Sequence, residues 1–158
     1  MVMKPLLLGE CPSKAREGTF HLPLMGNSRK LCDLAEIEIE AATWATPELD
    51  SYWALTGEFY CANLFLHHQE TWDADAAKEA WLELDHKATV IVALGRRVAV
   101  AIGAPKVWGK WREIEGLAVT SIPHPSGRSR AYQDQVLLEI ASATLTEARE
   151  RSHRKTLG

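Results

Sequence analysis

His124-Pro-Ser-Gly127 is the segment whose residue types most directly suggest chemistry. A histidine between Pro123 and Pro125 has a restricted backbone, so its imidazole is presented rigidly. Such a group suits a hydrogen-bond donor aimed at negative charge developing on a reacting molecule. Ser126 and the amides near Gly127 then suit a phosphate. Read as structure alone, the same residues make a turn. Gly9-Glu-Cys-Pro-Ser13 is the second such segment: a glycine lets backbone approach a ligand closely, and Glu10 brings a carboxylate beside it. The alternative is a β-turn carrying a solvated glutamate. Asn63 is third, inside the otherwise apolar Tyr60-Cys-Ala-Asn-Leu-Phe65. A buried amide needs partners, and its acceptor and two donors match the polar edge of a nucleobase; anchoring a loop is the competing use.

Other residues carry weaker signals. His67 and His68 are adjacent and point to opposite faces of an extended chain, so they do not chelate one metal. Gly95 to Gly103 lacks the glycine order of a nucleotide fingerprint. Trp108 and Trp111 flank Gly109, with Lys106, Lys110 and Arg112 alongside: a stacking and phosphate surface, or an amphipathic edge segment. Cys11 is expected to be a small buried packing residue rather than a reactive thiol.

Strands must end where these residues begin. Pro5-Leu-Leu-Leu-Gly9 reads as a buried first strand, not a signal peptide. Residues 58–66 read as a second strand, the apolar run Thr89 to Leu94 as a central parallel strand, and Gly116 to Ile122 as another. Between them, helices are expected around Leu31 to Ile39 and from Glu48 to Leu55. Another starts at Asp73 or Asp75 through Ala76, Ala77, Ala80, Trp81 and Leu84, and a short one covers Val98 to Ile102. The last runs from Ala131 to Arg151, with Val136, Leu137, Ile140, Ala141, Leu145 and Ala148 on one face, and the basic stretch from Arg149 to Lys155 is expected to be a frayed, solvated helix end. Alternating strands and helices imply an α/β fold, a three-layer α/β/α sandwich around a short, about four-stranded parallel sheet. Ligands of such folds bind beyond the carboxyl ends of the strands.

Composition narrows the class. The 158 residues, 46% hydrophobic and 25% charged, suit one soluble domain over residues 1–158 and exclude disordered and fibrous classes. Three cysteines without CxxC spacing argue against a disulfide framework or zinc ribbon and fit a reducing cytoplasm. A formal net charge of -3 argues against coating nucleic acid by bulk attraction, though not against a local basic face.

Taken in order, the segments resemble the uracil-DNA glycosylase superfamily, nearest its iron–sulfur-bearing fourth family. A GEAPG-like motif is matched by Gly9-Glu-Cys-Pro-Ser13, and a PFVG-S-like loop by Pro23-Leu-Met-Gly26 with Ser28. Ala62-Asn-Leu-Phe65 matches a TNVV-like strand, Val90 to Arg96 with Ala99 a VIVALGR-A-like stretch, and His124-Pro-Ser126 an HPS motif. The resemblance implies an enzyme that flips a nucleotide out of DNA and cuts its N-glycosidic bond. In that scheme His124 donates to O2 of the departing pyrimidine, Asn63 reads the base, and Glu10 positions or activates water. Gly9, Cys11, Pro12, Leu24 and Ser126 contact the substrate, and Ser28, Ser126, Gly127, Arg128 and Arg130 contact the DNA, Arg128 as the wedge into the emptied stack. A basic groove with Lys14, Arg16 and Arg29 would support a DNA substrate.

The chain also departs from that pattern. The cysteine quartet is missing, so no cluster, metal or other cofactor is expected. Cys11 stands where the first family has its catalytic aspartate, and Leu24 where relatives place a phenylalanine that stacks on uracil. The expected partner is DNA, single- or double-stranded, with no membrane and no second subunit. The alternative is a catalytically quiet member that binds DNA or a protein through the same groove.

Overall fold

A parallel strand covered on both faces has no solvent side to alternate toward, so it is apolar throughout. Val90–Leu94 (β4) and Leu6–Gly9 (β1) meet that description, with every residue buried. In the computed structural model, which describes residues 3–11, 53–54, 59–125 and 131–157, they pair in parallel, Leu6 opposite Ile91 and Leu8 opposite Ala93. Tyr60–Asn63 (β3) flanks β1 in parallel, and Leu117–Ile122 (β6) flanks β4 in parallel. Trp53–Ala54 (β2) and Arg112–Ile114 (β5) add antiparallel edges, giving the order β2-β3-β1-β4-β6-β5.

The sheet therefore exceeds the expected four strands by two. Its parallel part has the expected four, and both additions are too short to show a period. Trp53 and Ala54 also overturn part of the helix expected from Glu48 to Leu55: they pair with Cys61 and Tyr60, because the outer edge of β3 offers backbone groups that need partners. β5 returns into β6 through Glu115 and Gly116, both left-handed at φ 50° and 84°, the geometry of a two-residue hairpin turn.

Asp73 starts helix α1, Ala74–Glu83: its carboxylate accepts from the Asp75 and Ala76 amides at 3.0 and 3.1 Å. Arg96–Ile102 (α2) begins two residues before the expected Val98 and closes at Gly103, left-handed at φ 79°. A 3₁₀ turn, Ala131–Gln133, precedes helix α3, Gln135–Leu157. Ala141, Leu145 and Ala148 of α3 are buried, but Val136 is 62% exposed. It lies about 140° around the helix from Ala141, so it cannot share the expected face. The tail does not fray as expected: Ser152, one turn beyond Ala148, is buried, and the Arg151 guanidinium lies 4.3 Å from the Trp111 ring centroid.

The sheet faces pack separately. Leu7, Cys61, Val92 and Ile122 meet Ala141 and Leu145 of α3. Leu6, Leu8 and Ile91 share the opposite cluster with Ala77 of α1 and Val98 and Ile102 of α2. The fold is α/β, with helical side chains in the core of both faces, consistent with the three-layer expectation. Among the described residues, no helix is long and apolar enough to cross a membrane. Because β3, β1, β4 and β6 run parallel, Asn63, Gly9, Leu94 and Ile122 end at one edge of the sheet.

Candidate active site

β1 delivers Glu10 to that edge. Pairing with β3 continues past Asn63: the Gly9 carbonyl accepts from the Leu64 amide and the Glu10 carbonyl from the Phe65 amide, each at 3.0 Å. These bonds fix the Glu10 backbone, and Arg97 from the first turn of α2 faces its carboxylate at 3.7 Å. The pair is an ion pair rather than a hydrogen bond at this distance. With Arg97 59% exposed and Glu10 27%, it orients the carboxylate more than it stabilises the fold. The Arg97 guanidinium also lies 5.6 Å from the Trp72 ring centroid, and Trp72 meets Phe65 edge-on.

β6 delivers His124. The Gly95 amide donates to the Ile122 carbonyl at 2.9 Å, and the Tyr132 hydroxyl donates to the Pro123 carbonyl. Burial pushes the Tyr132 phenol well above its usual range, so it remains the protonated donor this bond needs. Gly95 packs against the histidine: a Cβ built on it would lie 3.4 Å from His124 Cβ and 3.7 Å from Cδ2, in ordinary van der Waals contact. Burial lowers the His124 pKa from its ordinary 6.5, while the Glu10 carboxylate acts in the opposite direction by attracting the charged imidazolium. The net effect leaves a mostly neutral imidazole at pH 7, with one nitrogen donating and one accepting.

Asn63 closes β3 directly opposite Gly9. It is half-buried, not fully buried as expected, because it stands at the mouth of the strand. Gly9, Glu10, Asn63 and His124 thus share one edge. Cys11 is half-buried, not the buried packing residue expected, since it lies past the end of β1; Cys61, within β3, is buried. Pro12, Leu24, Ser28, Ser126, Gly127, Arg128 and Arg130 lie outside the described residues, as do Lys14, Arg16 and Arg29. Among the described residues, no three histidine, cysteine or acidic side chains group as metal ligands.

Three contributors escaped the sequence reading: Gly95 beneath His124, Tyr132 on Pro123 and Arg97 on Glu10. Gly95 had a signal, as the residue joining a buried strand to a helix. The other two act through contacts between segments and left none. No protein-family model matches the chain, and no curated protein is significantly similar to it.

Proposed function

We propose that this chain is a monofunctional DNA glycosylase that excises uracil or a modified pyrimidine, as its resemblance to the uracil-DNA glycosylase superfamily implies. The observation that carries the reading is the meeting of Glu10, Asn63 and His124 at the one edge where β1, β3 and β6 end. Hydrolysis of an N-glycosidic bond has a use for a hydrogen-bond donor and for a carboxylate. The C1′–N1 bond breaks with its electron pair leaving on the base, and charge accumulates on O2, where His124 donates. One donor of this kind contributes about 10²–10³ in rate. Water adds to C1′ and gives up a proton, for which Glu10 is the local base, and the sugar retains the new hydroxyl. Asn63, opposite Gly9, supplies the amide that distinguishes one pyrimidine edge from another.

A neutral histidine suits this role, because it donates to O2 without passing a full proton to a weakly basic oxygen. The Arg97–Glu10 ion pair favours one second reading. If Arg97 holds the carboxylate away from water, the same edge binds DNA without cutting it. Labelled oligonucleotides carrying uracil, hypoxanthine or 5-modified pyrimidines, treated with the protein and then with alkali, separate the two. Strand breaks at uracil or a modified pyrimidine support the glycosylase, and breaks at hypoxanthine alone contradict the pyrimidine assignment. Binding without breaks supports the quiet protein.

A further inference from the structure

We propose that a single nucleic-acid strand crosses the carboxyl edge of the sheet along two arginine–tryptophan stacks, Arg97 with Trp72 and Arg96 with Trp108. The inference deepens the glycosylase reading by naming the form of its substrate, and it rests on that reading only for what happens at the flipped base. Arg96 and Arg97 are consecutive, so their Cα atoms are about 3.8 Å apart, yet they serve different sides. Arg97 lies over Trp72, near the ends of β1 and β3. Arg96 lies over Trp108, 4.0 Å from the ring centroid, and donates to the Lys106 carbonyl. That loop is tied beside the end of β6: the Gly109 amide donates to the Ser121 carbonyl at 2.9 Å, and the Thr120 hydroxyl donates to the Lys110 carbonyl at 2.6 Å.

Both arginines are exposed, and both tryptophans are partly exposed. From Gly95 to Arg112 the chain has five basic side chains and no acidic one, so this stretch is positive within a protein of net charge -3. Stacking holds a guanidinium flat and leaves its planar fork suited to phosphate. Alternating cations and aromatic faces serve unpaired bases, which have open faces; a duplex presents mainly phosphates to such a surface.

The test is binding of fluorescent oligothymidine, which contains no base to excise, compared with a duplex of the same length. The wild type should bind the single strand more tightly. Trp108→Ala should weaken single-strand binding by about tenfold, Trp108→Phe should retain most of it, and the duplex should respond less to either. Arg96→Ala should weaken single-strand binding too, and it carries the test if circular dichroism shows Trp108→Ala unfolded. Wild-type affinity in folded Trp108→Ala or in Arg96→Ala overturns the inference, as does tighter binding of the duplex. A protein that binds through Trp108 but excises nothing refutes the glycosylase reading and leaves this strand path intact. Excision with affinity indifferent to Trp108 and Arg96 does the reverse.

Discussion

Gly95 packs against His124: a Cβ on the glycine would stand 3.4 Å from the histidine's own Cβ, an ordinary van der Waals contact. Its backbone, at φ 95° and ψ 166°, is also one that side chains avoid. Two requirements meet at this residue. It must turn the chain from β4 into α2, and it must do so at a positive φ that residues with a side chain rarely adopt. Gly95→Ala is expected to destabilise the fold by about 1–3 kcal/mol and to lower turnover beyond what the lost stability explains. Thermal unfolding and activity of the folded fraction check both. An unchanged melting temperature would show that the backbone tolerates a side chain here.

Glu10 and His124 are coupled through their charges. The carboxylate favours the protonated imidazole, so removing it must lower the histidine pKa further. Glu10→Gln is therefore expected to move the His124 titration, followed by NMR of the ring protons, to lower pH than in the wild type. The variant should stay folded and lose chemistry, since Glu10 is a partly exposed residue at a strand mouth. A titration that stays in place or rises contradicts the coupling, and a collapse of thermal stability would assign Glu10 to the fold.

The same histidine contributes to acid sensitivity. Burial lowers both His124 and His86 from 6.5 in the folded protein. Just below 6.5 the unfolded chain binds more protons than the folded one, so stability falls as pH falls from 6.5 toward the lowered folded values. The melting temperature should decline as pH falls through and below 6.5, with His86→Gln and His124→Gln each flattening the slope. A melting temperature that rises on acidification through this window would reverse the assigned direction of both shifts.

The parts of this molecule that could be read from sequence share a property: each is decided by its own neighbours. Val90–Leu94 is apolar throughout because both of its faces are covered. Asp73 announces α1 because a cap acts within three residues. Glu10, Asn63 and His124 stood out as polar groups at the ends of apolar strands. What escaped depends on distant segments. Trp53–Ala54 is a strand because the edge of β3 is there to pair with it. Tyr132 holds the carbonyl of a proline nine residues earlier. Arg97 meets Glu10 only because β1 and α2 are brought to the same edge. The expected stripe on α3 erred at Val136 by its angle around the helix.

In the glycosylase reading, His124 supplies the decisive hydrogen bond to a departing base. Single-turnover excision by the wild type and by His124→Ala, on the oligonucleotide base the wild type removes and with DNA affinity measured in parallel, tests that role. The expected result is a rate at least about a hundredfold lower with affinity essentially unchanged. An equal rate in the variant, or a wild type that excises neither uracil nor a 5-modified pyrimidine, would contradict that role.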